Sequence, residues 1–295
     1  MKRPKQIPPS IGADRLAGWT DKRMLYIHGF QHYMWYPNCC VQKNIELTEA
    51  DLLRKEMNKQ DPDPGSRITF NHIINKAVAN ALRHHILFNS KRTWRDTFLV
   101  YPHIDIANVV DVAGMATQIV IPDADKLTLR QVAQLSHRLV STRRVTLEHR
   151  MSRLDNIFET LPLFNKLAWA FPFVNRVLRD YSHKGAIEHL ESRPGSFLVT
   201  NPGTLGVQDC KAMLFFGFRM GCVRVMAIEQ KPILKNGKVT FKKVLPTGLD
   251  YDQRVSDAPA AARLLNEIQR NLENPRRYCV GPVDESEQDH DRGDA

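Results

Sequence analysis

From Cys39 onward the apolar residues keep changing period, from every second residue to every third or fourth and back, with no internal repeat and no linker between Leu47 and Pro275. A period of two suits a strand with one buried face, and a period near 3.6 suits an amphipathic helix. That alternation restricts the chain to an α/β architecture, and one large domain is the economical arrangement. Cys39–Leu47 reads as a strand, and Thr48 as the N-cap of a helix over Glu49–Lys59. Asp61-Pro62-Asp63-Pro64-Gly65 is a loop signal. Thr69 then caps a helix in which Ile73, Ile74, Ala77, Val78, Ala81 and Leu82 recur at helical spacing. Ile104–Val112 and Thr117–Pro122 read as strands, and Thr128 opens a helix over Leu129–Thr142. Further strands are expected over Ser196–Thr200, Gly221–Ala227, Lys238–Lys243 and Leu245–Asp250, with Asn236-Gly237-Lys238 as a hairpin turn. The last long helix covers Ala258–Asn271, with Ala261, Leu264, Leu265 and Ile268 inward, and Pro275 ends it.

Composition at the two ends differs. Residues 1–19 carry three prolines and read as a flexible arm, and residues 281–295 as a disordered acidic tail, leaving 20–280 as the folded domain. Within it, Leu154–Tyr181 is a separate apolar excursion divided by Pro162 and Pro172, with the spacing of two short amphipathic helices. Two roles remain open for it: packing on the same core or an oligomer interface, or an apolar lid, channel wall or lipid-facing surface giving peripheral membrane contact.

Charge and cysteine usage narrow the function classes. The 295 residues carry 42 Lys+Arg against 32 Asp+Glu, a formal charge of +10. Such a surplus suits a nucleic acid, a membrane surface or a polyanionic small ligand. No apolar run approaches the ~20 residues of a membrane span, and the N-terminus lacks the apolar core of a secretory signal. The five cysteines are odd in number and include the adjacent pair Cys39-Cys40 without any C-x-x-C. Free thiols in a reducing cytoplasm are therefore expected rather than a disulfide framework or structural zinc. The pair His84-His85, and the separated His28 and His32, lack partners at metal spacing, so no metal is expected. The densest basic stretch, Arg138, Arg143, Arg144, Arg150 and Arg153, lacks interleaved aromatics and reads as a solvated helix face, so no nucleic-acid partner is expected.

Phosphate loops, dinucleotide glycine triplets, nucleophile elbows and H-E-x-x-H are all missing. The informative stretch is the last third. It runs Gly195-Ser196-Phe197-Leu198-Val199-Thr200-Asn201-Pro202-Gly203, then Ala227-Ile228-Glu229-Gln230-Lys231-Pro232-Ile233, then Gly248-Leu249-Asp250-Tyr251-Asp252-Gln253-Arg254-Val255-Ser256-Asp257-Ala258, and ends on Leu272-Glu273-Asn274-Pro275. In order and spacing these segments resemble the catalytic domain of the 2-oxoacid dehydrogenase acyltransferases, or dihydrolipoamide acyltransferases, whose superfamily includes chloramphenicol acetyltransferase. Upstream, Lys22-Arg23-Met24, Ile68-Thr69-Phe70 through Asn89-Ser90, Ile106–Val112 and Ile119 through Asp125 resemble further parts of the same domain. The resemblance covers about residues 20–280, interrupted by the 154–181 excursion.

The resemblance implies a chloramphenicol acetyltransferase-like, CoA-dependent acyltransferase fold: a mixed central sheet with flanking helices, assembled as a trimer with its sites at subunit interfaces. It implies coenzyme A or acyl-CoA as substrate, with no covalent lipoyl group on this chain. The family's oxyanion-stabilising hydroxyl matches Thr200, followed by Asn201. In the family's His-x-x-x-Asp-Gly motif the Asp matches Asp257 and the Arg inside it matches Arg254, but the general-base His is Gln253 and the final Gly is Ala258. An amide cannot serve as a general base near neutral pH. Glycines of the preceding strand are replaced by Arg224 and Met226. The resemblance thus implies catalytic roles for Thr200, Gln253 and Asp257, and substrate contacts for Asn201, Arg254 and His32, the last standing in a segment near the trimer interface. Two functions are open: a slow or retuned acyl transfer to an unknown acceptor, or a trimer that binds acyl-CoA or a protein partner, such as an acyl carrier, without chemistry. The polar tail favours a free homotrimer over a large cubic or icosahedral core.

Overall fold

The computed structural model describes residues 16–18, 38–92, 97–112, 115–142, 193–211, 219–235 and 237–282. The 154–181 excursion, His28, His32 and nearly all of both terminal segments lie outside them. In chain order the elements are β1 (Leu16–Gly18), β2 (Asn38–Glu46), α1 (Thr48–Gln60), α2 (Phe70–Leu82), β3 (Ser90–Arg92), β4 (Thr97–Val100), β5 (Ile106–Val112), β6 (Met115–Ile121), α3 (129–142), β7 (Phe197–Thr200), β8 (Gly221–Val225), β9 (Glu229–Lys235), β10 (Lys238–Asp252), α4 (Ala258–Glu273) and α5 (Pro275–Tyr278).

Among the described residues the main sheet has seven strands in the order β2-β10-β8-β7-β5-β6, with β9 also paired to β10. The β5–β7 and β7–β8 pairs are parallel and the others antiparallel, so the sheet is mixed, as the resemblance implied. One alternating set of strand residues enters the apolar core: Ile45, Leu245, Leu249, Tyr251, Val223, Val225, Phe197, Val199, Ile106 and Ile121. Opposite them pack Ile73, Ile74, Ala77 and Val78 of α2, Leu129 and Val132 of α3, and Ala261, Leu264 and Ile268 of α4. The period of two in the strands and the period near 3.6 in the helices therefore meet in a single layer, and the helices cover one face of the sheet.

Several boundaries differ from the sequence expectation. The segments 238–243 and 245–250 form one strand, because Val244 is where β10 exchanges its partner, pairing with both Glu229 of β9 and Glu46 of β2. Leu47, not Thr48, stands at the N-cap of α1. Thr128 does cap α3 reciprocally: Gln131 N–H donates to Thr128 Oγ1 at 3.2 Å and Thr128 N–H to Gln131 Oε1 at 2.8 Å. Pro275 follows the Asn274 cap and starts a further helical turn, α5. Inside the stretch read as an arm, Leu16–Gly18 pairs with β4, which also pairs with β3 in a small three-stranded sheet.

Candidate active site

Thr200 ends β7. Its strand neighbours Phe197 and Val199 point into the core, so Thr200, half-buried, points to the face opposite the described helices. It lies level with Val109 of β5 and Arg224 of β8. Asn201 then leads into a 3-10 turn over Pro202–Leu205, its carbonyl accepting the Thr204 hydroxyl at 2.9 Å. Gly203 is required there: a Cβ would stand 2.1 Å from the Met226 carbonyl carbon. The Thr-Asn-Pro-Gly run is thus a strand end tied tightly against the exit of β8.

Gln253 opens the turn after β10. The Cys39 thiol donates to its Oε1 at 2.8 Å. Burial raises the Cys39 thiol above its ordinary value and the nearby Asp252 charge adds to this, against a contact with Tyr251 that lowers it. Cys39 is therefore a neutral donor to an amide oxygen and supplies no base. Arg254 is buried. Its guanidinium donates to both Asp252 oxygens, with Nε to Oδ1 at 2.9 Å and Nη2 to Oδ2 at 2.6 Å, and its backbone N–H donates to Oδ1 as well. That clasp holds the turn's shape. Asp257 is exposed at the N-cap of α4, where its carbonyl accepts the Ala261 N–H at 3.0 Å and its carboxylate stands by the positive end of the helix dipole.

Gln253, Arg254 and Asp257 therefore come together around one turn, and Thr200 with Asn201 around another. The two groups are separate within one chain. Thr200 is level with Arg224, which pairs with Gly248, and Gln253 lies five residues beyond Gly248, roughly 16 Å along the strand direction.

On the face opposite the described helices lies a deeply buried ion pair that the sequence did not reveal. Arg224 and Asp250 are each 1% exposed and pair through Nε and Oδ2 at 2.7 Å. Arg224 Nη2 donates to Cys40 Sγ at 2.7 Å, and Nη1 stands 3.3 Å from Asp209 Oδ1. Burial works against the guanidinium's charge, but Asp250 and Cys40 outweigh it and hold Arg224 above its ordinary value. Gly248 makes room, since a Cβ there would stand 2.6 Å from Arg224 Cζ. The signal available was the pairing of a strand Arg with a strand Gly and Asp on a neighbouring segment, but register is not visible in one sequence. Likewise His84 and His85 do have a partner: Glu267 of α4 meets His84 Nδ1 at 2.5 Å and His85 Nε2 at 2.9 Å. No group of three His, Cys, Asp or Glu side chains able to hold a metal occurs among the described residues. No helix among them is long and apolar enough to cross a membrane.

Comparison with known proteins adds the family. The model for the 2-oxoacid dehydrogenases acyltransferase (catalytic domain) matches residues 32–150 and 175–280. The unmatched stretch between, 151–174, overlaps the apolar excursion. A dihydrolipoyllysine-residue acetyltransferase component of the pyruvate dehydrogenase complex from Mycoplasma capricolum is 23% identical over 234 residues, 79% of this chain and 44% of that protein. The chain spans about half the length of the curated relatives it matches. Among solved structures, a probable dihydrolipoamide acetyltransferase from Listeria monocytogenes superposes with a TM-score of 0.61 at 18% identity, covering 92% of this chain and 94% of that one. The Azotobacter vinelandii dihydrolipoamide acetyltransferase gives 0.63 at 18% identity, covering 86% and 90%. The catalytic mechanism of the latter was investigated at a serine, a histidine and an asparagine four residues beyond that histidine.

Proposed function

We propose that this protein, which belongs to the family of 2-oxoacid dehydrogenase acyltransferase catalytic domains, moves an acyl group between a CoA thioester and a second acceptor, slowly and without a histidine base. The observation that carries this is the Thr200 hydroxyl, half-buried at the end of β7 and fixed by the Asn-Pro-Gly turn behind it. There it is suited to donate to the oxygen that becomes negative as a thioester carbonyl is attacked. Gln253 and Asp257 keep the four-residue spacing of the histidine and asparagine studied in the Azotobacter enzyme. Gln253 offers hydrogen bonds and no proton transfer, so the attacking thiol reacts through its own small thiolate fraction. Asn201 lines the approach beside Thr200, while Arg254 and Asp257 hold the turn that carries Gln253. Because Thr200 and Gln253 lie far apart in one chain, the site is completed between copies, and a homotrimer is the assembly that fits.

A second reading, an acyl-CoA-binding trimer without turnover, is favoured by one observation: the Gln253 oxygen is already engaged by Cys39. One experiment separates the two. The protein is incubated with acyl-CoAs of several chain lengths and a thiol acceptor, and CoA release is followed. Slow turnover is expected. Gln253→His should raise it about 10²- to 10⁴-fold, and Thr200→Val should lower it about 10²- to 10³-fold. Wild type that binds acyl-CoA but turns over only as Gln253→His establishes the second reading. Absence of both binding and turnover in every form sinks the two together.

A further inference from the structure

Arg224 takes no part in the acyl transfer proposed above, yet it is the largest fully buried side chain of the described residues. Its guanidinium lies against Gly248 with two differently held sides. Nε is fixed to the buried Asp250 at 2.7 Å. Nη1 meets Asp209, which is 72% exposed, at 3.3 Å, the long end of an ionic hydrogen bond. Over that second side opens a pocket of about 360 Å³, whose walls include Gln42, Gln208, Asp209, Arg224 and Gly248. Its size is that of a small-molecule site.

We propose that this pocket is an oxyanion-binding site for a small carboxylate- or phosphate-bearing ligand, with Arg224 as the charged contact, the Gln42 and Gln208 amides as neutral donors, and Asp209 as an internal occupant that the ligand displaces. Charge balance supports the exchange. Arg224 and Asp250 neutralise each other, and Lys43, which also borders the pocket, turns its Nζ to Asn266 of α4, so the remaining charge at the guanidinium is the Asp209 carboxylate, and one anionic oxygen group of a ligand takes its place once Asp209 turns to solvent. With Nε fixed to Asp250 and Nη2 to Cys40, Nη1 is held in a set direction, which suits contact with an oxyanion. Asp209 sits on the segment that follows Thr200. That segment is pinned at Val207, whose carbonyl accepts the Ala227 N–H at 2.9 Å, so filling the pocket acts on a segment continuous with the Thr200 turn. The pocket spans β8, β10 and β2, with Arg224 one strand spacing, about 5 Å, from Thr200 and the β10 wall about two. It therefore borders the proposed reacting centre through Arg224, but its recognition of an anion does not rest on acyl transfer.

The test is calorimetric titration of the full chain with malonate, with inorganic phosphate and with neutral malonamide, at constant ionic strength. Saturable binding of one anion per chain is expected, with none for malonamide. Malonate alone marks a carboxylate ligand, phosphate alone a phosphate ligand, and binding of both marks the shared oxyanion chemistry. Asp209→Asn, an exposed and structurally mild change, should tighten the anion about fivefold, since it removes a competing surface ion pair. Gln42→Leu should weaken it about threefold to tenfold through loss of a neutral donor. The proposal is overturned if neither anion saturates, if malonamide binds equally, or if both variants leave the affinity unchanged.

Discussion

The two faces of the central sheet are buried by opposite means. On β8, Val223 and Val225 point toward the helices while Cys222 and Arg224 point away, and all four are shielded from water. The helix-covered face is closed by apolar contact with Ile73, Ala77, Leu264 and Ile268, which is non-directional and tolerates repacking. The other face is closed by a directional set: Arg224 on Asp250, Cys40 and Asp209, laid over a glycine. A buried pair of charges is stable only while both partners remain, because the desolvation of each is offset by the other. One face should thus lose stability in proportion to the volume removed, and the other in proportion to the charge left unpaired.

The largest expected effect follows from that difference. Arg224→Met leaves the Asp250 carboxylate buried without its cation and should destabilise by about 3–5 kcal/mol. Leu249→Ala on the opposite face, at 0% exposure, should cost about 2–5 kcal/mol as a cavity. The magnitudes overlap but the couplings do not. Adding Asp250→Leu to Arg224→Met should restore much of the loss, whereas adding it to Leu249→Ala should restore none. Urea unfolding of the four variants measures this, and a double variant no more stable than Arg224→Met would break the distinction between the faces.

The sequence made the first face legible and hid the second. Alternation in Phe197–Thr200 and helical spacing in Ala261, Leu264, Leu265 and Ile268 report burial directly, because apolar side chains leave water wherever the period lets them. The Thr200–Gly203 stretch was found through its motif, while its shape, a turn with Gly203 against Met226, came only with the structure. Arg224 gave no such signal: in a strand pattern an Arg between valines reads as solvent-facing, and only the register of β8, β10 and β2 brings it to Asp250 and Cys40. Long-range partners stay hidden for the same reason, as with Cys39 and Gln253, 214 residues apart. The continuity of β10 through Val244 likewise depends on an exchange of partners, which a single strand's composition does not record.

A second effect, next in size, sharpens the view that the helix-covered side also holds a polar group by burial. His72 of α2 is 5% exposed and its Nδ1 accepts the Thr69 N–H at 3.2 Å. Burial, with His137 as a lesser cause, pushes its pKa down from 6.5 to about 4. The folded value lies below the unfolded one, so the neutral ring's contribution is fully present above pH 6.5 and is lost as the pH falls toward 4. A shift of that size corresponds to about 3 kcal/mol across the window. Stability measured by denaturant between pH 7 and 4 should fall accordingly, and His72→Gln should flatten the slope. An unchanged slope in that variant would assign the pH dependence to other groups.

The smallest effect probes both faces at one point of the chain. Cys39 and Cys40 are consecutive in β2, so their side chains take opposite sides of the sheet: Cys39 packs against the core and donates to Gln253, while Cys40 accepts from Arg224 Nη2. Burial raises both thiols, so each is held as a neutral group. Cys40→Ala removes an acceptor from a buried cation and should cost about 1 kcal/mol. Cys40→Ser, which keeps an acceptor, should cost less. Cys39→Ala removes a donor from a half-buried amide that can turn to water, so its cost should fall below that of Cys40→Ala. Thermal unfolding of the three variants ranks them. If Cys39→Ala proved the more damaging, the polar set around Arg224 would be less dependent on its sulfur contact than the turn at Gln253, and the directional face would rest on Asp250 and Asp209.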